Sequence, residues 1–243
     1  MGRDVFDYQF NKFIKDIKRE FDNNFEKKLK GIIGNSMIRG NSPSLSNQLE
    51  DKFAEFLYSS YLNKNYLYLI DVNLSTKLND ESKSIRPDIV VIERKNNEII
   101  AIFELKIDDA RADDEWVRMS QDKLNLLKEI SKNIESVSKD NYIHYSTIKV
   151  NDSGKPEKTP KGRNRTTINS IKCSQDAKIA CITLCKENSR KIAGTENFRT
   201  FGEFALYLSG KHFNNQNHLP ESIINEKNLN TEGLYNLLSK MNM

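Results

Sequence analysis

Hydrophobic and polar positions along the chain alternate with two distinct periods, and the change from one to the other marks the elements. From 4 to 33, Phe6, Phe10, Phe13, Ile14, Ile17, Phe21, Phe25, Leu29 and Ile32 recur at steps of three and four between lysines and acids. That spacing predicts one long amphipathic helix laid on the core, or alternatively a helix whose phenylalanines meet a partner chain. Gly31, Gly34, Gly40 and Asn41-Ser42-Pro43 then end it in a turn-rich loop. A second helix is expected over 46–62, with Asn47 and Glu50 spaced as a capping box. At 100° per residue from Leu49, its apolar face spans about −40° to +80°, which puts Glu50 at the margin and Glu55 in solvent.

The period of two takes over at Tyr66–Leu74, a predicted strand, followed by a polar loop over 75–84. Two β-rich runs, 88–93 and 98–107, flank the turn-like Arg94-Lys95-Asn96-Asn97 and predict a hairpin. Trp116, Met119, Leu124, Leu127, Ile130 and Ile134 predict a helix over 113–135. Further strands are expected at 142–150, 166–173 and 178–185, the last as a continuous apolar run of buried type. The tail reads as helices near 200–208 and 231–241, and no internal repeat stands out. The expected fold class is α/β: a mixed central sheet flanked by helices, with an amino-terminal helix and a helical carboxy-terminal tail. One domain is expected over 1–243, comprising a helical arm at 4–40, a core at 45–185 and the tail at 186–243.

Composition narrows the classes. Of 243 residues 37% are hydrophobic and 30% charged, yet the formal net charge is only +4, so the chain is hydrophilic without being driven to disorder. No apolar run approaches the roughly 18–20 residues of a membrane span, and the amino terminus lacks a secretory h-region; a cytoplasmic protein is expected. Phe6 stands where a myristoylation pattern wants Ser or Thr. Cys173, Cys181 and Cys185 share no ligand spacing with His144, His212 and His218, so neither a disulfide framework nor a zinc site is expected. Cys181 and Cys185 read as core packing, as does Trp116.

The candidate chemistry lies on the hairpin. Glu104 and Lys106 are two apart on a strand and therefore project from one face. If residues pair across the turn with indices summing to 192, Asp88 lies opposite Glu104, and two adjacent carboxylates call for a neutralising cation. A register shifted by one, equally open to an Asn96-Asn97 turn, separates them. Pro87-Asp88, fifteen residues, then Glu104-Leu105-Lys106 resembles the motif of the PD-(D/E)xK nuclease superfamily. Leu49-Glu50-Asp51-Lys52-Phe53 resembles the first helix of that fold, and the order helix, three strands, helix, strand is similar over 45–185. The resemblance implies a restriction-endonuclease-like sheet and hydrolysis of DNA phosphodiester bonds. It implies Mg²⁺, with Mn²⁺ able to substitute, held by Asp88, Glu104, the Leu105 carbonyl and Glu50. Lys106 would activate water and stabilise the phosphate, and Gln121 takes a helix place that some branches fill functionally, though a solvated residue is the simpler reading.

The segment 149–172 carries seven basic and two acidic side chains, a surplus larger than that of the whole chain. Lys155, Lys158, Lys161, Arg163 and Arg165 are the expected nucleic-acid contacts, on an insert whose glycines and prolines keep its tip irregular. The function expected is a type II restriction endonuclease acting on double-stranded DNA as a homodimer. The alternatives are a nucleotide- or partner-activated defence nuclease, a phage or repair nuclease, a non-catalytic nucleic-acid binder on the same fold, and a helical scaffold built on the first helix.

Overall fold

A computed structural model describes residues 2–29, 45–61, 65–107, 114–136, 141–185, 205–209 and 229–241. The chain is α/β, with a mixed sheet flanked by helices. Its contacts resolve into two compact units: residues 1–64, 103–120 and 179–243 in the first, and 65–102 and 121–178 in the second. Three elements have residues in both units. Among the described residues no helix is long and apolar enough to cross a membrane.

The first unit is built on aromatic packing. Helix α1 (Arg3–Leu29) buries Phe6, Phe10, Phe13, Ile14, Ile17 and Phe21. It lies against α2 (Ser46–Tyr61), where Phe13 meets Phe53 edge-on at 5.6 Å and Phe6 meets Phe56 at 5.7 Å between ring centroids. These phenylalanines are therefore core residues, and the partner-helix alternative loses them as its contact face. Phe25, Leu29 and Ile32 lie outside the described side chains. Leu45, not Asn47, caps α2: its carbonyl accepts the Leu49 N–H at 2.9 Å, so Asn47 is already helical and the expected capping box does not form.

The strands run in the order β1 (Tyr66–Ile70), β4 (Ile89–Glu93), β5 (Glu98–Lys106), β7 (Thr166–Cys185), β6 (Tyr142–Ile148), β2 (Leu74–Leu78), β3 (Glu81–Ile85), with β5 from Phe103 and β7 from Ile179 belonging to the first unit and the rest to the second. Helix α3 (Asp114–Ser136) occupies the place expected for it. The β4–β5 hairpin forms as the sequence implies, with Asn97 at φ 55° in the left-handed region that asparagine tolerates.

Four expectations fail. The strand expected over 66–74 breaks at Asp71, which has φ 52°, and the expected polar loop 75–84 is instead the β2–β3 hairpin, turned at Asn79 and Asp80 with φ 50° and 69°. Two left-handed residues in succession suit a two-residue hairpin turn. The two strands expected at 166–173 and 178–185 are one continuous β7. The helix expected near 200–208 is, where described, β8 (Ala205–Ser209), parallel to β7 with Cys181 opposite Ala205. The tail is thus not wholly helical, although α4 (Thr231–Lys240) forms as expected and returns to α1 through Phe6 and Tyr235, 5.2 Å apart.

Cys173 and Cys181 are thiols outside any disulfide among the described residues and are buried, consistent with packing. Burial pushes the Cys173 thiol up to about 12, so it stays protonated throughout the neutral range. Native protein treated with iodoacetamide at pH 8 should therefore show no modification at Cys173 by peptide mass mapping, and full modification once unfolded. Labelling of the folded chain at a free-thiol rate would contradict this.

Candidate functional site

Strand β5 reads Glu-Ile-Ile-Ala-Ile-Phe-Glu-Leu-Lys, and every residue from Ala101 to Leu105 is buried. Both faces of the strand are covered there, so Glu104 is a carboxylate inside the protein, 3% exposed. An ionised group is costly in such a place unless its charge is met. Lys106, two residues on and half-buried, carries its Nζ 5.5 Å from the centroid of the Trp116 ring in the first turn of α3. That cation–π contact holds the ammonium at the strand end in place of free rotation. Trp116, read from sequence as core, thus has a defined task beside Lys106.

Helix α2 docks onto the same strand. Phe53 and Phe103 pack edge-on at 5.6 Å, and Glu50, one turn before Phe53 on the same helix face, is 7% exposed. The margin position inferred from the helical angles is therefore an inward one. Glu55 lies out in solvent, as expected, paired with Lys52 at 2.8 Å. Glu50, Glu104, Leu105 and Lys106 all belong to the first unit.

Asp88 belongs to the second unit. It follows buried Pro87, is half-buried, and precedes β4, the sheet neighbour of β5. Its carbonyl accepts the Asp71 N–H at 2.8 Å, continuing the β1–β4 register beyond Ile70 and Ile89. The Asp71 carboxylate in turn pairs with the Arg86 guanidinium. Sequence reasoning missed Asp71 and Arg86; the signal was the acid that closes the apolar run Tyr66–Ile70. Gln121 is exposed and donates to Asn125 within its helix at 3.1 Å, the solvated arrangement.

Glutamate oxygens are hard donors that suit Mg²⁺. Among the described residues no group of three or more His, Cys, Asp and Glu side chains is gathered to hold a metal. Mg²⁺ commonly binds through one or two carboxylates with water and substrate oxygens completing its shell, so the acids present fit it without a closed cage.

The basic insert is more regular than expected. Three backbone hydrogen bonds close a ring at its base: Lys149 N–H to Arg165 O, Glu157 N–H to Lys149 O and Arg165 N–H to Glu157 O, each 2.9 Å. Two small loops leave this junction. One turns through Asn151–Lys155 with Gly154 at φ 74°, the other through Thr159–Arg163 with Gly162 at φ 76°. Asn151 Oδ1 accepts the Lys155 N–H at 3.0 Å, and Thr159 Oγ1 accepts the Arg163 N–H at 3.1 Å. An eight-residue repeat, Asn-x-x-Gly-Lys then Thr-x-x-Gly-Arg, was therefore present after all. Glu157 at the junction pairs with Lys149 at 3.0 Å and Arg165 at 3.8 Å, while the Arg165 side chain stays 53% exposed. Lys155, Lys158, Lys161 and Arg163 are exposed, and among the described residues no carboxylate pairs with them.

Comparison with known protein families, with curated proteins and with solved structures finds no match to this chain.

Proposed function

We propose that the chain is a Mg²⁺-dependent endonuclease of restriction-endonuclease-like fold that hydrolyses DNA phosphodiester bonds, acting as a homodimer in the manner of type II restriction enzymes. The observation that carries the reading is the burial of Glu104 on a strand end whose next outward residue is a braced lysine. A solvated ion pair would leave both side chains in water. A strand end built to concentrate cations around an anionic substrate would enclose the acid and fix the ammonium.

Glu104 and the Leu105 carbonyl would hold the metal with Glu50 assisting, and Asp88 is the further acid that the resemblance to the PD…ExK motif implies. When bound, Mg²⁺ supplies Lewis-acid polarisation of the phosphate and acidifies water. Lys106, held by Trp116, orients the attacking water and offsets the charge that grows on the phosphate. Lys155, Lys158, Lys161, Arg163 and Arg165 bind backbone phosphates, which positions DNA without specifying its sequence.

Supercoiled plasmid incubated with the protein should be cut in Mg²⁺ or Mn²⁺ and left intact in Ca²⁺ or EDTA. Sequencing the product ends then separates a restriction enzyme, whose ends share a flanking sequence, from an indiscriminate effector. Retention of DNA without cleavage under every metal condition would instead favour the non-catalytic binder.

A further inference from the structure

In the second unit, strands β7, β6, β2 and β3 form an antiparallel sheet with two unlike faces. One face is core: Leu74, Thr76, Ile143, Tyr145 and Ile171 are all buried. The register fixes the other. His144 lies opposite Ser170 and Ser75, Ser146 opposite Ile168, Ile148 opposite Thr166, and Lys77 between Tyr142 and Ser82. Residues directly opposite share a face, so Tyr142, His144, Ser146 and Ile148 form one row, flanked by small hydroxyl residues.

Three features on and beside this outer face point to a ligand. The Tyr142 and His144 rings are stacked, 4.2 Å apart and 10° from parallel. Beside them opens a cavity of about 390 Å³, lined also by Asn96, Asn97 and Lys172 and reaching round to Asn141, Ile143 and Ile171 of the core face. Asn141 is 5% exposed; its Oδ1 accepts the Asn79 N–H at 3.1 Å, while its amide NH₂ has no hydrogen-bond partner. A buried donor left unmet is costly in a folded protein. Further along, Ile148 and Ile168 are 51% and 66% exposed, apolar surface on an otherwise polar face. The same β6–β7 hairpin then leads into the two-looped cationic insert.

We propose that this face is a binding platform for single-stranded nucleic acid. An unpaired base extends the Tyr142–His144 stack, and its polar edge meets the amide groups of the cavity. The serines and Lys172 take sugar and phosphate, and the strand continues over the exposed isoleucines toward Lys155, Lys161 and Arg163. A duplex keeps its base faces inside its own stack and offers none to these rings, which is why the occupant is a single strand. Stacking of this kind tolerates any base. The assignment concerns binding without a divalent ion and stands apart from hydrolysis.

The test is fluorescence anisotropy of a labelled 12-nucleotide single strand of mixed sequence, in EDTA, with a duplex of the same length and a mononucleotide as competitors. Replacing both rings (Tyr142→Ala with His144→Ala) should weaken binding at least about tenfold, whereas Tyr142→Phe with His144→Phe, which keeps flat π faces, should stay within about twofold. The Phe pair also controls for folding. Because the insert cations give duplex a hold outside the rings, the decisive outcomes concern the rings: an Ala pair that loses duplex affinity as much as single-strand affinity, competition by mononucleotide at the oligomer's own concentration, or unchanged single-strand binding by the Ala pair would each overturn the proposal. Because EDTA removes catalysis, a protein that binds the strand but never cuts DNA would leave this inference intact and remove the nuclease reading alone.

Discussion

Glu104→Gln is expected to lower Mg²⁺-dependent plasmid cleavage on the order of 10³-fold. The substitution keeps the size and planarity of the side chain, so a strand end buried to 3% exposure should still close around it. It removes the negative charge that would hold the cation. Lewis-acid stabilisation by a metal is worth several kcal/mol of the barrier, and each 1.36 kcal/mol is about tenfold in rate. A second readout separates a catalytic acid from a structural one. Saturating Mg²⁺ should raise the melting temperature of the parent protein, because a ligand that binds only the folded state stabilises it by mass action. In Glu104→Gln that increment should vanish while the metal-free melting temperature moves little. Full activity in the variant would sink the proposed centre, and so would a metal-induced shift that persists undiminished. Lys106→Ala should cost rate while sparing the metal-induced shift, since the ammonium is not a ligand.

What the sequence made legible follows from where the forces are local. The Phe6–Phe21 stripe and the hairpin of β4 and β5 were readable because each buries a face at a fixed period, and the period alone sets the element. The β2–β3 hairpin was missed because its outward residues, Ser75, Lys77, Ser82 and Ser84, are the polar half of a two-faced sheet. Only Leu74, Thr76 and Leu78 carried the alternation, and Asn79-Asp80 was the turn signal. Strand β8 was read as helix because a run as short as Ala205–Ser209 fits either period, and its pairing to β7 is set by a distant part of the chain. The candidate site divides the same way. The Asp88, Glu104, Lys106 spacing is written in the sequence. The groups that meet these residues and the insert are not: Trp116 beside Lys106, Asp71 against Asp88, and Glu157 between Lys149 and Arg165.

Phe53→Ala is expected to destabilise the fold by about 3–5 kcal/mol. The side chain is fully buried, and its ring contacts Phe13, Phe56 and Phe103, each at 5.6 Å between centroids. Truncation removes apolar surface from the core and leaves a cavity that three rigid rings collapse into poorly. Edge-on aromatic pairs add about 0.5–1.5 kcal/mol each beyond their buried area. Against a typical total of about 5–15 kcal/mol, that is a large share of the stability of an ordinary domain. Urea denaturation followed by far-ultraviolet circular dichroism measures it as a lowered midpoint. Tyr8→Ala on the outer face of α1, where the side chain is 68% exposed, should shift the midpoint hardly at all. A cost below about 1 kcal/mol for Phe53→Ala would contradict the packing of α2 on β5. The double variant with Phe103→Ala carries the sharper information: the two losses should fall short of additivity by about 0.5–1.5 kcal/mol, because the same ring contact is removed by either change. Strict additivity would mean that the two rings are buried separately, and the packing of α2 on β5 would then not run through this contact.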